Sequence, residues 1–261
     1  MGGNGESWRQ RFASTALIIG FFLLWEACCW LFHISDIVLP KPSQIFTTLY
    51  LRAPALWPHT VQTLYTTLFG FVLGVIVGVA LGVLVGSSKT AYDTAYPLLV
   101  GFSSIPKVAV VPIFVLWFGA GTVPAVLTSL VISIFPVVVN VATGLATTEP
   151  ELEDVLKALG AKKSEVLWNV GLPRAMPYFF ASLKVAVTLS FVGTVLSETV
   201  ASNRGIGNVM MVASSNFDVP LVFAGLIILA ILGVLLYLLF AALEWRLCGW
   251  AMRKTDLAAM G

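Results

Sequence analysis

Residues 60–86 read TVQTLYTTLFGFVLGVIVGVALGVLVG, and this stretch decides the architecture. It holds no charged side chain. At about 1.5 Å per helical residue it is longer than the roughly 30 Å hydrocarbon core of a bilayer. The rest of the chain has the same character: 58% of its 261 residues are hydrophobic, 11% are charged, and the mean hydropathy is +0.94. Soluble domains carry about 25% charged residues, so this chain lacks the polar surface to wrap a water-soluble globule. Disorder, a collagen-like rod, a disulfide scaffold and an ordinary cytosolic enzyme are thereby excluded. A net charge of +2 is too small to point to nucleic acid. Cys28, Cys29 and Cys248 form no even disulfide framework and read as small apolar side chains.

Within the opening stretch, Gly70, Gly74, Gly78, Gly82 and Gly86 make four consecutive GxxxG steps. Glycine at every fourth position opens a groove along one helix face, into which another helix can pack closely where lipid offers no hydrophobic drive. The groove serves either static tight packing or an interface that slides during transport. Both place the helix inside a bundle.

Five further runs are long and apolar enough to span, giving candidates at 14–33, 60–86, 97–118, 122–145, 175–199 and 220–243. The first is too long for a signal peptide and lacks a small-x-small cleavage site, so it reads as a retained helix. With the N-terminus inside, ten of the 15 Lys and Arg residues fall in cytoplasmic segments and three (Lys41, Arg52, Arg204) outside. Lys107 and Lys184 fall within spans. The excess of inner positive charge favours both termini in the cytoplasm. The expected layout is a cytoplasmic segment 1–13, a transmembrane domain 14–245 and a cytoplasmic tail 246–261. Within the domain lie an external segment 34–58, with a short interfacial helix after Pro42, and a long cytoplasmic loop 146–174. That loop is the most polar part of the chain, and two short amphipathic helices, 150–159 and 162–169, fit it with Gly160 at the turn.

The third span carries Ser103-Ser104-Ile105-Pro106-Lys107 and then Pro112. Prolines remove backbone donors and interrupt a helix, and broken helices at membrane depth are tolerated where they face a cavity. A lysine at mid-bilayer costs on the order of 3 kcal/mol and needs a partner or water. Lys107 is therefore either a pathway cation for an anionic substrate or a snorkelling or salt-bridged side chain. Lys184 and Glu198, fourteen residues apart, lie on one face of the fifth span but about 21 Å from each other, too far to pair. Glu198 has Arg204 close by as a helix-end lock, and Glu26 reads as a polar contact within the bundle. There is no HExxH, no GxSxG and no P-loop; Gly86-Ser87-Ser88-Lys89-Thr90 lacks the glycine spacing of a phosphate loop. His33 and His59 have no metal-ligand spacing. Any ATP used must be bound by another chain.

The polar loop resembles the signature loop of binding-protein-dependent ABC importer permeases: EAA, three residues, Gly, nine residues, then Ile-x-Leu-Pro. Asp154-Val155-Leu156 stands at the EAA position, Gly160 follows at the matching spacing, and Val170-Gly171-Leu172-Pro173 closes the pattern. The departures are Asp for Glu and Val-Leu for Ala-Ala. Outside the loop, Leu39-Pro40-Lys41-Pro42-Ser43, the glycine-striped span, Ile105-Pro106 through Trp117-Phe118-Gly119, Phe135-Pro136 with Asn140, and Glu198 through Gly205-Ile206-Gly207 are similar to the nitrate/sulfonate/taurine-type branch.

The resemblance implies an all-α membrane protein with six transmembrane helices, a type I ABC importer permease fold and a short cytoplasmic coupling helix-turn-helix. It implies a non-catalytic inner-membrane subunit that pairs with a second copy to form the path. Two ATP-binding subunits would carry ATP and magnesium, and a periplasmic or lipid-anchored binding protein would deliver a small solute, expected to be an anion. Neither a cofactor on this chain nor a nucleic-acid partner is expected. Asp154, Leu156, Ala158, Leu159, Gly160, Ala161, Leu172 and Pro173 would couple to the ATPase, with Leu156, Leu159 and Val166 presented to its groove. Candidates for the path or gate are Ser103, Ser104, Pro106, Lys107, Asn140, Lys184 and Glu198. The alternative is an ion-coupled carrier working alone, which predicts inverted repeats; none is evident.

Overall fold

A computed structural model describes residues 3–146, 155 and 158–258. Among the described residues every regular element is helical: α1 (Gly3–Leu31), α2 (Pro42–Gly86), α3 (Lys89–Ser103), α4 (Val111–Phe118), α5 (Thr122–Ala146), α6 (Lys163–Val166), α7 (Leu172–Ala201), α8 (Ile206–Ser215) and α9 (Val219–Ala258). Backbone groups that close their hydrogen bonds within one segment need no water, which is why an apolar chain of this kind settles on helices.

The core is the packing of α2 against α5, and the glycine stripe makes it. A Cβ added to Gly70 would meet Ser129 at 2.5 Å and Val126 O at 2.6 Å; at Gly74 it would strike Ser133, and at Gly78, Gly82 and Gly86 it would meet Val137, Val141 and Leu145 at 2.8, 2.7 and 2.9 Å. Each glycine thus takes one turn of α5, in register, over the length of the stripe. Residue numbers rise together along both helices, so α2 and α5 run parallel. The chain between them must therefore return to the starting end. It does so through α3 and α4, which are bent 75° to each other at a short break. Tyr92 Oη lies 3.3 Å from Thr143 Oγ1 near the end of α5, and Lys107 stands over Phe135 half-way along it. α7 closes the core antiparallel to α5: Gly144 abuts Ala175 and Tyr178, and Gly193 abuts Ile132.

Among the described residues, four helices are long and apolar enough to cross a membrane, at Pro42–Gly86, Thr122–Ala146, Trp168–Ala201 and Val219–Cys248, and the bent α3–α4 pair makes a fifth when counted as one span. The apolar part of α1, Thr15–Leu31, is shorter than these. Two boundaries differ from expectation. The short interfacial helix and the second span are one continuous helix, α2, in which Pro54 and Pro58 are internal. Each proline forfeits one backbone bond, to Tyr50 O and Pro54 O, and the helix continues through both. The last helix runs on through Ala258 rather than ending near 243. Glu26 turns out to hold α1 to the start of α2: its carboxylate accepts from Ser43 N at 2.9 Å and Ser43 Oγ at 2.7 Å, satisfying a free N–H of the first turn.

Replacing Gly78 by Leu is expected to destabilise the folded chain by about 1–3 kcal/mol or more, read as a lower thermal unfolding midpoint in detergent. Gly20→Leu, where a Cβ meets nothing within 4 Å, leaves the midpoint unchanged.

Candidate functional site

Two regions carry the features expected of a working site: the break between α3 and α4, and the polar seam where α2, α5, α7 and α8 meet.

At the break, Pro106 cannot extend α3, and a short 3-10 turn (Lys107–Val110) leads into α4, which Pro112 opens at a position helices accept. Lys107 folds back, its Nζ donating to Ser103 O at 2.7 Å and lying 4.7 Å above the Phe135 ring centroid. The cation thus satisfies a carbonyl at the C-terminus of α3, where the helix dipole favours positive charge, and takes a cation–π contact. No acid is needed: its partners are a carbonyl and a ring, not the salt bridge that the sequence left open. Ser103 and Ser104 hydroxyls both donate to Val100 O, at 2.8 and 3.2 Å, and are exposed. The break gathers Ser103, Ser104, Pro106 and Lys107 in one place. Asn140 sits apart on α5, its Nδ2 donating to Pro136 O at 2.8 Å.

Lys184 and Glu198 belong elsewhere. Lys184 forms an ion pair with Glu244 of α9, an inter-helix tie. Glu198 is 1% exposed, and its Oε2 accepts from Thr63 Oγ1 at 2.9 Å and from Gly207 N at 3.1 Å. Those contacts replace the expected lock with Arg204, which is exposed. Further along the seam, the Ser129 and Ser190 hydroxyls bond to each other, and both reach Thr67 O, at 3.1 and 3.4 Å, joining α5 and α7 to α2. Sequence reasoning does not single out Thr63, Ser129, Ser190 or Glu244. The available signal is the recurrence of Ser and Thr on the faces that carry small residues in α2, α5 and α7. Glu244 lies one residue past the expected end of the last span.

Of the loop residues, Asp154 and Leu156 lie outside the described residues. Gly160 has φ +86°, a left-handed conformation that favours glycine, and it makes the expected turn. Leu159 beside it is 78% exposed, and Ala158 is exposed. Ala161 is half-buried ahead of α6, whose first turn is capped by Glu165 Oε2 accepting from Lys162 N at 2.8 Å. The second short helix starts at Lys163 and runs without a break through a π-helical stretch (Leu167–Gly171) into α7 at Leu172 and Pro173. Val166 is 6% exposed, so it packs inward and is not presented to a partner. Its neighbour Trp168 is exposed instead. Among the described residues no three His, Cys, Asp or Glu side chains gather to hold a metal ion.

The described residues form a glycine-seamed helical bundle with a broken span and a glycine turn ahead of α6. Residues 70–247 match the family described as the binding-protein-dependent transport system inner membrane component, and the chain belongs to that family. It is therefore a multi-pass inner-membrane protein. It is 34% identical over 248 residues to the riboflavin transport system permease protein RibX of Chloroflexus aurantiacus, covering 92% of each chain. A probable ABC transporter permease of Haemophilus influenzae is 32% identical over 91% of this chain and 96% of its own. The taurine transport permease TauC of Escherichia coli is 27% identical over 93% of this chain and 90% of its own. In fold it is similar to a chain of the MetNI methionine ABC transporter, solved in inward-facing conformations, with a TM-score of 0.59, 20% identity, and 77% of this chain and 98% of that one covered.

Breaking the α7–α9 tie from one side only leaves an uncompensated charge. Lys184→Met or Glu244→Gln alone is expected to cost on the order of 3 kcal/mol, and the double variant less than their sum. Thermal unfolding of the four proteins measures this. Additive losses would show that the pair does not couple the helices.

Proposed function

We propose that this chain is the path-forming half of an ATP-driven importer. Two copies enclose the route, two ATP-binding subunits power it, and an external binding protein supplies a small solute. The single observation that carries the reading is the turn at Gly160. An exposed Leu159 beside a left-handed glycine, at the spacing of the family's loop pattern, offers a short apolar knob flanked by charge to a groove on a partner. ATPase closure would draw two such loops together and tip the helices that continue from them.

The topology proposed is six spans with both termini inside. Counting α1 as the first span and the bent α3–α4 pair as the third makes α2 and α5 run the same way, as their packing requires. The chain itself binds neither ATP nor magnesium. For the path we propose the break at Ser103, Ser104, Pro106 and Lys107. A half-buried ammonium ion half-way along α5 favours an anionic or partly anionic solute. The names of relatives support a broader range as well, from taurine to riboflavin.

Gly160→Pro is expected to block ATPase binding or to uncouple ATP hydrolysis from uptake, because proline cannot adopt a positive φ. Normal coupled uptake by that variant, measured in vesicles, would contradict the docking role. Lys107→Ala is expected to reduce uptake or substrate-stimulated ATP hydrolysis about tenfold while assembly is retained, since one charged hydrogen-bond donor in a low-dielectric path is worth about that factor. Unchanged uptake would remove Lys107 from the route.

A further inference from the structure

Three successive backbone N–H groups at the start of α8 are satisfied by side chains. Gly205 N donates to His59 Nδ1 at 3.1 Å, Ile206 N to Thr63 Oγ1 at 2.9 Å, and Gly207 N to Glu198 Oε2 at 3.1 Å. A helix start leaves such donors without intrahelical acceptors. Here the acceptors come from two other helices, His59 and Thr63 from α2 and Glu198 from α7. Thr63 is the hinge of the arrangement. Its hydroxyl accepts from Ile206 and gives its one proton to the Glu198 carboxyl at 2.9 Å, the nearer of two acceptors, His59 O being at 3.2 Å.

The space around the carboxyl is shaped for this contact. A Cβ on Gly205, whose φ is +103°, would fall on the Glu198 carboxyl itself. A Cβ on Gly207 would lie 2.6 Å from Val195 O and 2.8 Å from Glu198 Cβ. Two glycines therefore let the start of α8 wrap one buried side chain.

Beyond this contact, buried side chains of α2 and α7 are short of bonds. Among the described residues, Thr67 Oγ1, Thr194 Oγ1, Ser197 Oγ and Glu198 Oε1 are buried without a hydrogen-bond partner. On the same seam, the bond from Ser190 Oγ to Thr67 O is long at 3.4 Å. An unpaired buried hydroxyl is costly, so a displacement that pairs these groups offsets the loss of the bonds at Glu198.

We propose that Glu198 is a positioning residue: with Thr63, its carboxyl clasps the 205–215 segment to α2, and release of this clasp is a step in the conformational cycle. The second half of this statement rests on the permease reading; the clasp itself does not.

Hydrogen exchange of the full chain in its complex with the ATP-binding subunit tests the clasp directly, because the amides of 205–207 are the bonded groups. In Glu198→Ala these amides are expected to exchange about tenfold faster, the size of one hydrogen bond, while amides of α5 stay protected. Hydrolysis of Mg-ATP by the same complex, without binding protein, is expected to rise several-fold. Glu198→Gln keeps an acceptor oxygen for Thr63 and Gly207 and is expected to bring both readings back near wild type. Unchanged exchange in Glu198→Ala overturns the clasp. Faster exchange with unchanged ATP hydrolysis overturns its part in the cycle. If Glu198→Ala fails to assemble, Thr63→Val removes the bond from Thr63 to the carboxyl, and exchange of the Gly207 amide together with ATP hydrolysis decides. A wild-type chain that binds no ATPase would sink the permease reading, and the exchange of the isolated chain would still decide the clasp.

Discussion

The structure depends on the close approach of α2 and α5. Five glycines at a spacing of four let α5 lie against the α2 backbone, with Ser129, Ser133, Val137, Val141 and Leu145 each filling one step. In lipid there is no hydrophobic gain in bringing two apolar helices together, so the contact must come from dispersion and hydrogen bonds at short range. Once α2 and α5 are held parallel and in register, much else follows. The chain between them has to return, and the prolines at 106 and 112 shape that return into a broken span. α7 then closes the third side, held by the Ser129–Ser190–Thr67 bonds and by small residues at both of its ends.

A few specific polar bonds join this close-packed core to the segments around it. The α3–α4 break, the α7–α9 ion pair and the start of α8 all join the rigid part to segments held by a few specific bonds. In a protein that moves a solute, these are the places where a small shift can be offset by re-pairing. The polar groups lie at these joints because a buried hydroxyl or carboxyl offers a discrete choice of partners, which a close-packed apolar contact does not.

Composition alone tells that the chain is a membrane protein, and the period-four glycines tell which helix is central. Proline chemistry places the break at Pro106, and Gly160 announces its turn. The partners are harder to read. Nothing near Lys107 in sequence foretells its use of the Ser103 carbonyl and the Phe135 ring, because the first depends on how the helix ends and the second on a helix distant in sequence. Local spacing sets Glu198 against Arg204, six residues on, whereas it binds Thr63, 135 positions away. Val166 reads as an exposed apolar residue of an amphipathic turn, yet it is buried just ahead of the π-helical stretch Leu167–Gly171. Local spacing predicts local contacts; the bonds between helices follow from which faces the glycine seam brings together.

On the reading proposed above, this chain works only as part of a larger machine. The most direct measurement is the mass of the complex that the chain forms in a nanodisc when co-expressed with its cognate ATP-binding subunit. The expected particle has two copies of each, and its ATP hydrolysis responds to the binding protein. A chain that forms no complex with any ATP-binding subunit, and carries solute across a vesicle membrane by itself, would contradict it.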